Sequence, residues 1–300
     1  MANPKGKPGR SAFTAERLAR ALLLICAVAA IFAVCAITLY LFAKGLPALH
    51  EVGVGELLFG TVWKPTAAEP GFGIAYIILS SIVGTAASVL LGVPIGLLTA
   101  VFLTEVSGKT LAKAVQPAVE LLAAIPSVIY GLLGMMLLNP LLYKLEKALF
   151  AGSSTHRYTV IVLAIRILPT VISVSASAIR AVPGSLRAAS LALGASKMQT
   201  IRRVTVPAAK SGILTGVVLG IGRALGEAMA INMVAGGAVN LPLPFNSVRF
   251  LTTQLVSEMG YAEGTHRQVL FTVGLVLYLF IMIVNLVLQR LRREGGKDNG

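Results

Sequence analysis

The chain has 300 residues, of which 56% are hydrophobic and only 13% are charged, and its mean hydropathy is +0.83. Soluble domains carry about 25% charged residues, so this composition excludes an ordinary soluble domain and favours a chain whose apolar segments lie in lipid. The formal net charge of +14 is compatible with a nucleic-acid partner or with a membrane surface, and the placement of the charges decides between them.

Six apolar segments are each long enough to cross a bilayer, which requires about 20 such residues. They predict an all-α integral membrane protein with six transmembrane helices, at residues 21–43, 73–103, 117–142, 158–179, 211–236 and 268–288. The second segment is longer than the bilayer core, and Pro94 with its neighbouring glycines predicts a kink or break in it. Pro126 in the third segment and Pro169 in the fourth predict further kinks.

The lysine and arginine residues are distributed unevenly between the two sides of these spans. With the N-terminus in the cytoplasm, 17 of them fall in inner segments and 7 in outer ones, which predicts that both termini are cytoplasmic. Because the basic residues flank the spans instead of clustering on one domain, we expect no nucleic-acid partner. The predicted parts of the chain are a basic cytoplasmic tail at 1–20, the first span at 21–43, a five-helix core at 73–290 with a cytoplasmic loop at 180–210, and a cytoplasmic tail at 291–300.

The sequence shows no nucleophile paired with a base and no cluster of metal-ligating residues, so we expect neither an enzyme nor a cofactor in this chain. Gly108-Lys109-Thr110 resembles the end of a phosphate-binding P-loop, but Leu103 stands where that motif requires its first glycine. If ATP drives transport, we therefore expect ATP and Mg to be bound by a separate ATPase chain.

The inner loop at 180–210 has apolar residues at helical spacing, with basic residues between them. Pro183 and Pro207 bracket it, and Gly194 divides it into two predicted short helices. Three interpretations of this amphipathic pair remain open on periodicity alone. The helices lie on the membrane, pack under their own bundle, or dock into the groove of a partner.

This loop resembles the loop motif of ABC importer permeases, which reads Glu-Ala-Ala, three residues, Gly, nine residues and Ile-x-Leu-Pro. Gly194 is followed by Val204 and Pro207 at that spacing, while Ala188 and Ala189 stand in the first two positions. The resemblance implies that these five residues belong to a coupling helix that sits in a cleft of the ATPase. Ala188 replaces the Glu of the motif, so a salt bridge from that position is not expected.

Two further segments resemble permeases of the PstC type from phosphate importers, namely residues 120–131 and the run Gly222-Arg-Ala-Leu-Gly-Glu-Ala-Met-Ala230. The resemblance implies a type I ABC importer permease (MetI-like) fold in a bacterial inner membrane, with this chain forming half of the translocation pathway. It also implies the partners: a sister permease of the PstA type, an ATPase dimer and an external phosphate-binding protein. The alternative is a permease of the same fold for another oxyanion, such as molybdate, sulfate or a phosphonate.

Four charged residues lie within the predicted spans: Arg223, Glu227, Arg166 and Glu120. An unpaired charge at the centre of a membrane helix costs about 2.5–3.5 kcal/mol, so we expect these side chains to face the bundle interior. Arg223 and Glu227 are four residues apart and are predicted to share one helix face. Our hypothesis is that Arg223 contacts phosphate in transit, because a guanidinium suits an oxyanion, and that Glu227 holds Arg223 until the anion arrives.

A purely structural ion pair that sets the helix register is the alternative for Arg223 and Glu227. Arg166 is expected to pair with Glu120 or with Glu227, and Glu120, near the inner end of its span, favours a structural role.

Small residues recur every four positions along the fifth predicted span, at Gly212, Gly216, Gly220 and Ala224. This stripe predicts a close helix contact, either within the chain or with the sister permease. Two outer segments, at residues 52–60 and 248–260, are predicted to form short helices that receive a binding protein or cap the pore.

Overall fold

The computed structural model describes residues 10–141, 144, 159–243 and 246–297, and this part of the chain is mainly helical. Its helices are α1 (Arg10–Val52), α2 (Val54–Phe59), α3 (Ala75–Val101), α4 (Lys109–Ala124), α5 (Ser127–Leu133), α6 (Thr159–Arg180), α7 (Gly184–Ala192), α8 (Lys197–Thr200), α9 (Val206–Ala208), α10 (Lys210–Leu225), α11 (Met229–Val234), α12 (Leu251–Glu258) and α13 (Gly264–Lys297). π-helical turns continue α3, α5 and α8, over Phe102–Val106, Gly134–Leu138 and Ile201–Thr205.

A short antiparallel hairpin lies between α2 and α3. It consists of β1 (Trp63–Lys64) and β2 (Gly71–Phe72), with Trp63 opposite Phe72 and Lys64 opposite Gly71.

Four helices in the described residues are long and apolar enough to cross a membrane, and they lie in α1, α3, α6 and α13. Two bent helix pairs raise this number to six if each pair is one span. The first bend, of 98°, separates α4 from α5, and the second, of 69°, separates α8 and α9 from α10. With each bent pair counted as one span, the six predicted spans of the helical membrane fold are confirmed.

The three prolines at which a kink was predicted have different effects. The bend between α4 and α5 falls at Pro126, where a kink was predicted. By contrast, α3 continues through Pro94 and α6 continues through Pro169, so of the kink or break predicted at Pro94, the break is absent. These two helices pack along each other. The ideal Cβ position at Gly92 lies only 2.7 Å from Ile167, so the two helices are in close contact two residues before each proline.

The fifth span is shorter than the predicted segment 211–236. Helix α10 ends at Leu225, a non-helical stretch follows at 226–228, and α11 then begins at Met229. The prediction of one continuous helix through residue 236 is therefore wrong. The Glu227 side chain accepts a hydrogen bond from the backbone N–H of Ala230, which satisfies a group at the start of α11.

Helix α6 is central to the bundle, with α3 packed along it and α10 also against it. The small residues of α10 make the second contact. A Cβ at Gly212 would lie 2.4 Å from the Cβ of Ala178, and one at Gly220 would lie 2.9 Å from Val171. Of the two alternatives for this stripe, the structure shows the internal contact, between the fourth and fifth spans.

Helix α1 packs along α13 at the periphery of the bundle. Thr38 donates to the Tyr278 hydroxyl at 3.0 Å, Thr272 donates to the carbonyl oxygen of Gly45 at 2.6 Å, and Tyr40 stacks edge-on against Phe271. Most of the large apolar side chains of α1 remain exposed in the single chain, as expected for a helix that faces lipid or a neighbouring subunit.

The loop at 180–210 forms two helical pieces, α7 and the run from α8 to α9, as predicted. Gly194 separates them with a φ of +83°, a left-handed conformation that favours glycine. Ser196 and Gln199 form a reciprocal capping box at the start of α8. The two predicted outer helices are also present, as α2 and α12.

Candidate functional site

Two interruptions of the helical spans lie close together inside the bundle, one at Pro126 and the other at residues 226–228. Helices α5 and α11, which follow the two breaks, pack directly on each other. A Cβ at Gly131 would lie 3.0 Å from the Cα of Ala230, and Tyr130 joins Val162 and Val234 in a shared apolar cluster. Because non-helical backbone at membrane depth is tolerated only inside protein or beside a cavity, this junction is where a polar site is expected.

Glu227 lies in the second of these breaks, and its side chain is only 6% exposed. One carboxylate oxygen accepts from the Ala230 N–H at 3.1 Å, and the other accepts from Nε of Arg166 at 3.1 Å. Its backbone carbonyl accepts from the hydroxyl of Thr252, at 2.9 Å, on α12. Glu227 is therefore held by two contacts to its carboxylate and one to its backbone carbonyl, from three parts of the chain.

Arg166 approaches Glu227 from α6, and its side chain is 12% exposed. Its guanidinium carbon lies 5.4 Å from the ring centroid of Tyr130, within cation–π range. Its Nη1 atom is fully buried and has no hydrogen-bond partner among the described residues. The Arg166 guanidinium therefore retains unused donor capacity inside the bundle.

Arg223, in the last turn of α10, is half-buried at the same junction. Its Nη1 donates to the hydroxyl of Thr170 at 3.0 Å, and its Nη2 donates to the carbonyl oxygen of Ala123 at 3.3 Å, at the end of α4. Thr170 follows Arg166 by one helical turn on α6, so both arginines reach the same face of that helix. The site thus contains two guanidinium groups and one carboxylate.

These contacts correct the predicted pairing of Arg223 with Glu227. The structure pairs Glu227 with Arg166, because α10 ends before Glu227 and the one-turn spacing on a shared helix face is lost. Glu227 is one of the two partners expected for Arg166. The other, Glu120, is exposed on α4 and accepts from Gln116 at 3.2 Å, so it lies outside the cluster.

A second polar cluster, called the outer cluster because Arg249 and Glu258 belong to the predicted outer segment at 248–260, was not predicted from the sequence. Glu258 is 5% exposed, accepts from the indole N–H of Trp63 at 3.0 Å, lies 2.8 Å from Nε2 of His266 and pairs with Arg249. It borders a cleft of about 680 Å³ that also contacts β1. The four residues come from four separate segments, so no regular spacing in the sequence predicts the cluster.

The residues of the predicted coupling loop lie on the surface of α7 to α9. Ala188, Ala189, Gly194 and Pro207 are exposed, and Val204 is half-buried. Large apolar side chains are exposed beside them, at Leu186, Leu191, Leu193 and Met198. Among the described residues, no group of three or more His, Cys, Asp or Glu side chains is placed to hold a metal ion.

Apolar helices long enough to cross a membrane, with a cluster of charged side chains between them, are typical of a multi-pass membrane transport protein. Residues 92–294 match the family described as "Binding-protein-dependent transport system inner membrane component", and the chain belongs to this family. It is therefore a transport subunit rather than an enzyme.

Relatives of known name agree with this assignment. The chain is 40% identical over 280 residues to the "Probable ABC transporter permease protein YqgH" of Bacillus subtilis, with 90% of each chain covered. It is 32% identical over 298 residues to the "Phosphate transport system permease protein PstC" of Xylella fastidiosa, with 92% of this chain and 91% of the relative covered.

Two solved structures share the fold. A bacterial alginate ABC transporter, in complex with an alginate pentasaccharide-bound periplasmic protein, superposes with a TM-score of 0.62 at 19% identity, covering 93% of this chain and 96% of that one. The inward-facing MetNI methionine ABC transporter superposes with a TM-score of 0.53 at 22% identity, covering 74% and 94%. The MetI-like permease fold is therefore confirmed.

Proposed function

We propose that this chain is a pore-forming permease subunit of an ATP-driven importer of inorganic phosphate, and that it forms half of the translocation pathway. The observation that carries the proposal is the charge of the central site. Arg166 pairs there with Glu227, Arg223 is bonded to neutral acceptors beside it, and Arg166 Nη1 has no hydrogen-bond partner among the described residues. The phosphate permeases among its relatives support the choice of anion.

The site is one negative charge short of neutrality. Inside a low-dielectric bundle an uncompensated positive charge is costly, so an anion that enters gains a large electrostatic stabilisation. A phosphate oxyanion also accepts paired hydrogen bonds from planar guanidinium groups. Passage requires that this binding stays moderate, and Glu227 moderates it because it already compensates Arg166.

The two arginines take different roles in this proposal. Arg223 is bonded to two neutral acceptors, the Thr170 hydroxyl and the Ala123 carbonyl. These bonds are weaker than charge-assisted ones and are readily exchanged for a phosphate oxygen. Arg223 is therefore the direct contact for the anion, whereas Arg166 is fixed by Glu227 and adds positive potential. Glu120 is left out of the pathway because its exposed side chain lies outside the cluster.

The proposed assembly lies in a bacterial inner membrane with both termini of this chain in the cytoplasm, as the excess of inner lysine and arginine residues supports. Its partners are a sister permease of the PstA type, an ATPase dimer that binds ATP and Mg, and an external phosphate-binding protein. Helices α7 to α9 dock in the ATPase cleft. The exposed Leu191, Leu193 and Met198 provide an apolar surface for this contact.

The test is uptake of labelled phosphate in cells that lack their own high-affinity importer and express this chain with its partners. Native uptake is expected to resist competition by sulfate and molybdate. Arg223→Gln is expected to lower it by at least about 30-fold, as for loss of a buried charged contact worth about 2 kcal/mol or more. The control is Arg180→Gln, which removes the same charge from an exposed side chain.

The outcomes are separable. Native-level uptake by an assembled Arg223→Gln complex would overturn the role of Arg223. Absence of phosphate uptake by the assembled native complex would overturn the substrate, and inhibition by sulfate or molybdate would point to the alternative oxyanion.

A further inference from the structure

Arg187 lies on α7, the first helix of the coupling segment that α7 to α9 form. It is placed between the predicted cytoplasmic ends of two membrane spans. Its Nη2 atom is 2.9 Å from a carboxylate oxygen of Glu105 and donates to the carbonyl oxygen of Ile179 at 2.8 Å. Glu105 belongs to the π-helical turn that follows α3, and Ile179 belongs to the last turn of α6. One side chain of α7 thus contacts the ends of both the second and the fourth span.

Burial makes this contact more than a surface ion pair. The Glu105 side chain is 10% exposed and that of Arg187 is 30% exposed. The Glu105 oxygen that faces Arg187 is fully buried and accepts no hydrogen bond of good geometry from any described residue. A buried carboxylate requires a compensating charge, and Arg187 supplies it. The ion pair between Arg187 and Glu105 therefore holds α7 to the end of α3, and it requires both side chains.

The coupling segment is also braced internally. The hydroxyls of Ser190 and Thr200 lie 2.9 Å apart, which joins α7 to α8. Beneath them, apolar residues from α3, α6 and α10 form one buried cluster with Val182, which precedes α7. A displacement of α7 is therefore expected to move α8 as well. The contact of Arg187 with Glu105 connects α7 to the second span.

We propose, on the basis of the importer function proposed above, that Arg187 and Glu105 are positioning residues that couple movement of α7 to the second and fourth spans. The pair transmits displacement of the coupling segment into the bundle and touches neither ATP nor the transported anion.

The test uses the complete complex in proteoliposomes and measures ATP hydrolysed per phosphate delivered. The double variant Arg187→Met with Glu105→Gln removes both charges, so no buried charge is left unpaired and the complex is expected to assemble at the native level. Its ratio of ATP to phosphate is nevertheless expected to rise several-fold, because the connection is lost. Arg180→Gln, an exposed arginine at the end of α6, is the matched control and is expected to keep the native ratio.

A merely structural pair gives the opposite result. In that case the single variants lose assembly, and the double variant regains both assembly and the native ratio, which would overturn the proposal. A second measurement is independent of the substrate, namely ATP hydrolysis without any anion or binding protein, which is expected to increase in the double variant. If the native complex moves no phosphate, the importer proposal fails, and an unchanged rate in this second measurement would still overturn the coupling role.

Discussion

Two buried carboxylates occupy contrasting surroundings in this chain. Glu258 is satisfied by Trp63, His266 and Arg249, so one carboxylate faces one arginine and two further side chains. Glu227 shares its surroundings with two arginines, and one nitrogen of Arg166 is unused by the described residues. In the function proposed above, the cluster of Glu258 is structural, whereas the site of Glu227 retains positive charge for the transported anion. Substitutions in both clusters test this distinction.

The largest expected effect is on stability, from Glu258→Ala. The substitution leaves Arg249 without its carboxylate and is expected to cost about 3–5 kcal/mol, as for a broken buried pair. Thermal unfolding of the purified complex measures the loss, and uptake per assembled complex is expected to stay near native. Glu258→Gln, which keeps the shape and one acceptor, is the milder control. Normal stability with lost uptake would instead assign ligand binding to the outer cluster.

In the central site, a double-mutant cycle between Arg166→Met and Glu227→Gln is expected to give a coupling energy of about 0.5–3 kcal/mol. Each single substitution leaves a charged partner, while the double substitution removes both and regains part of the stability. Unfolding of the four complexes gives the coupling. Uptake by the double variant is expected to be reduced but measurable, because Arg223 remains. Strictly additive effects on stability would show that the pair is not an energetic unit.

The smallest effect is expected from Trp63→Phe. This variant removes the indole N–H that Glu258 accepts but keeps an aromatic ring against Phe72 and His266. Since Arg249 and His266 still contact the carboxylate, the expected loss is about 1 kcal/mol in the same unfolding measurement. A loss as large as that of Glu258→Ala would mean that the indole, and not the arginine, dominates the outer cluster.

Much of the fold could be predicted from the sequence because it depends on local properties. Apolar runs gave the spans, and Gly194 gave the division of the coupling loop. The effect of a proline was less predictable, since Pro126 accompanies a sharp bend whereas α3 continues through Pro94. The continuous helix α3 packs closely on α6, where Ile167 lies against Gly92 from a distant part of the chain. Such a contact between distant residues cannot be predicted from residue spacing.

The central site was predicted in composition but not in pairing. A charge within an apolar span is conspicuous, and three of the four such residues, Arg166, Arg223 and Glu227, meet in the structure. Which of these residues pair depends on where α10 ends. The apolar sequence continues beyond Leu225, so it gave no sign that the helix ends before Glu227. The outer cluster could not be predicted from the sequence, because Glu258 meets its partners only when four segments fold together.

The close contact along Gly212 and Gly220 has a mechanical consequence. With no side chain to yield between them, α6 and α10 mesh along their length and resist sliding or separation. We therefore expect Arg166 and Arg223, one on each helix, to move together. We expect any opening of the proposed path to occur where the helices are interrupted, beside Pro126 and at residues 226–228.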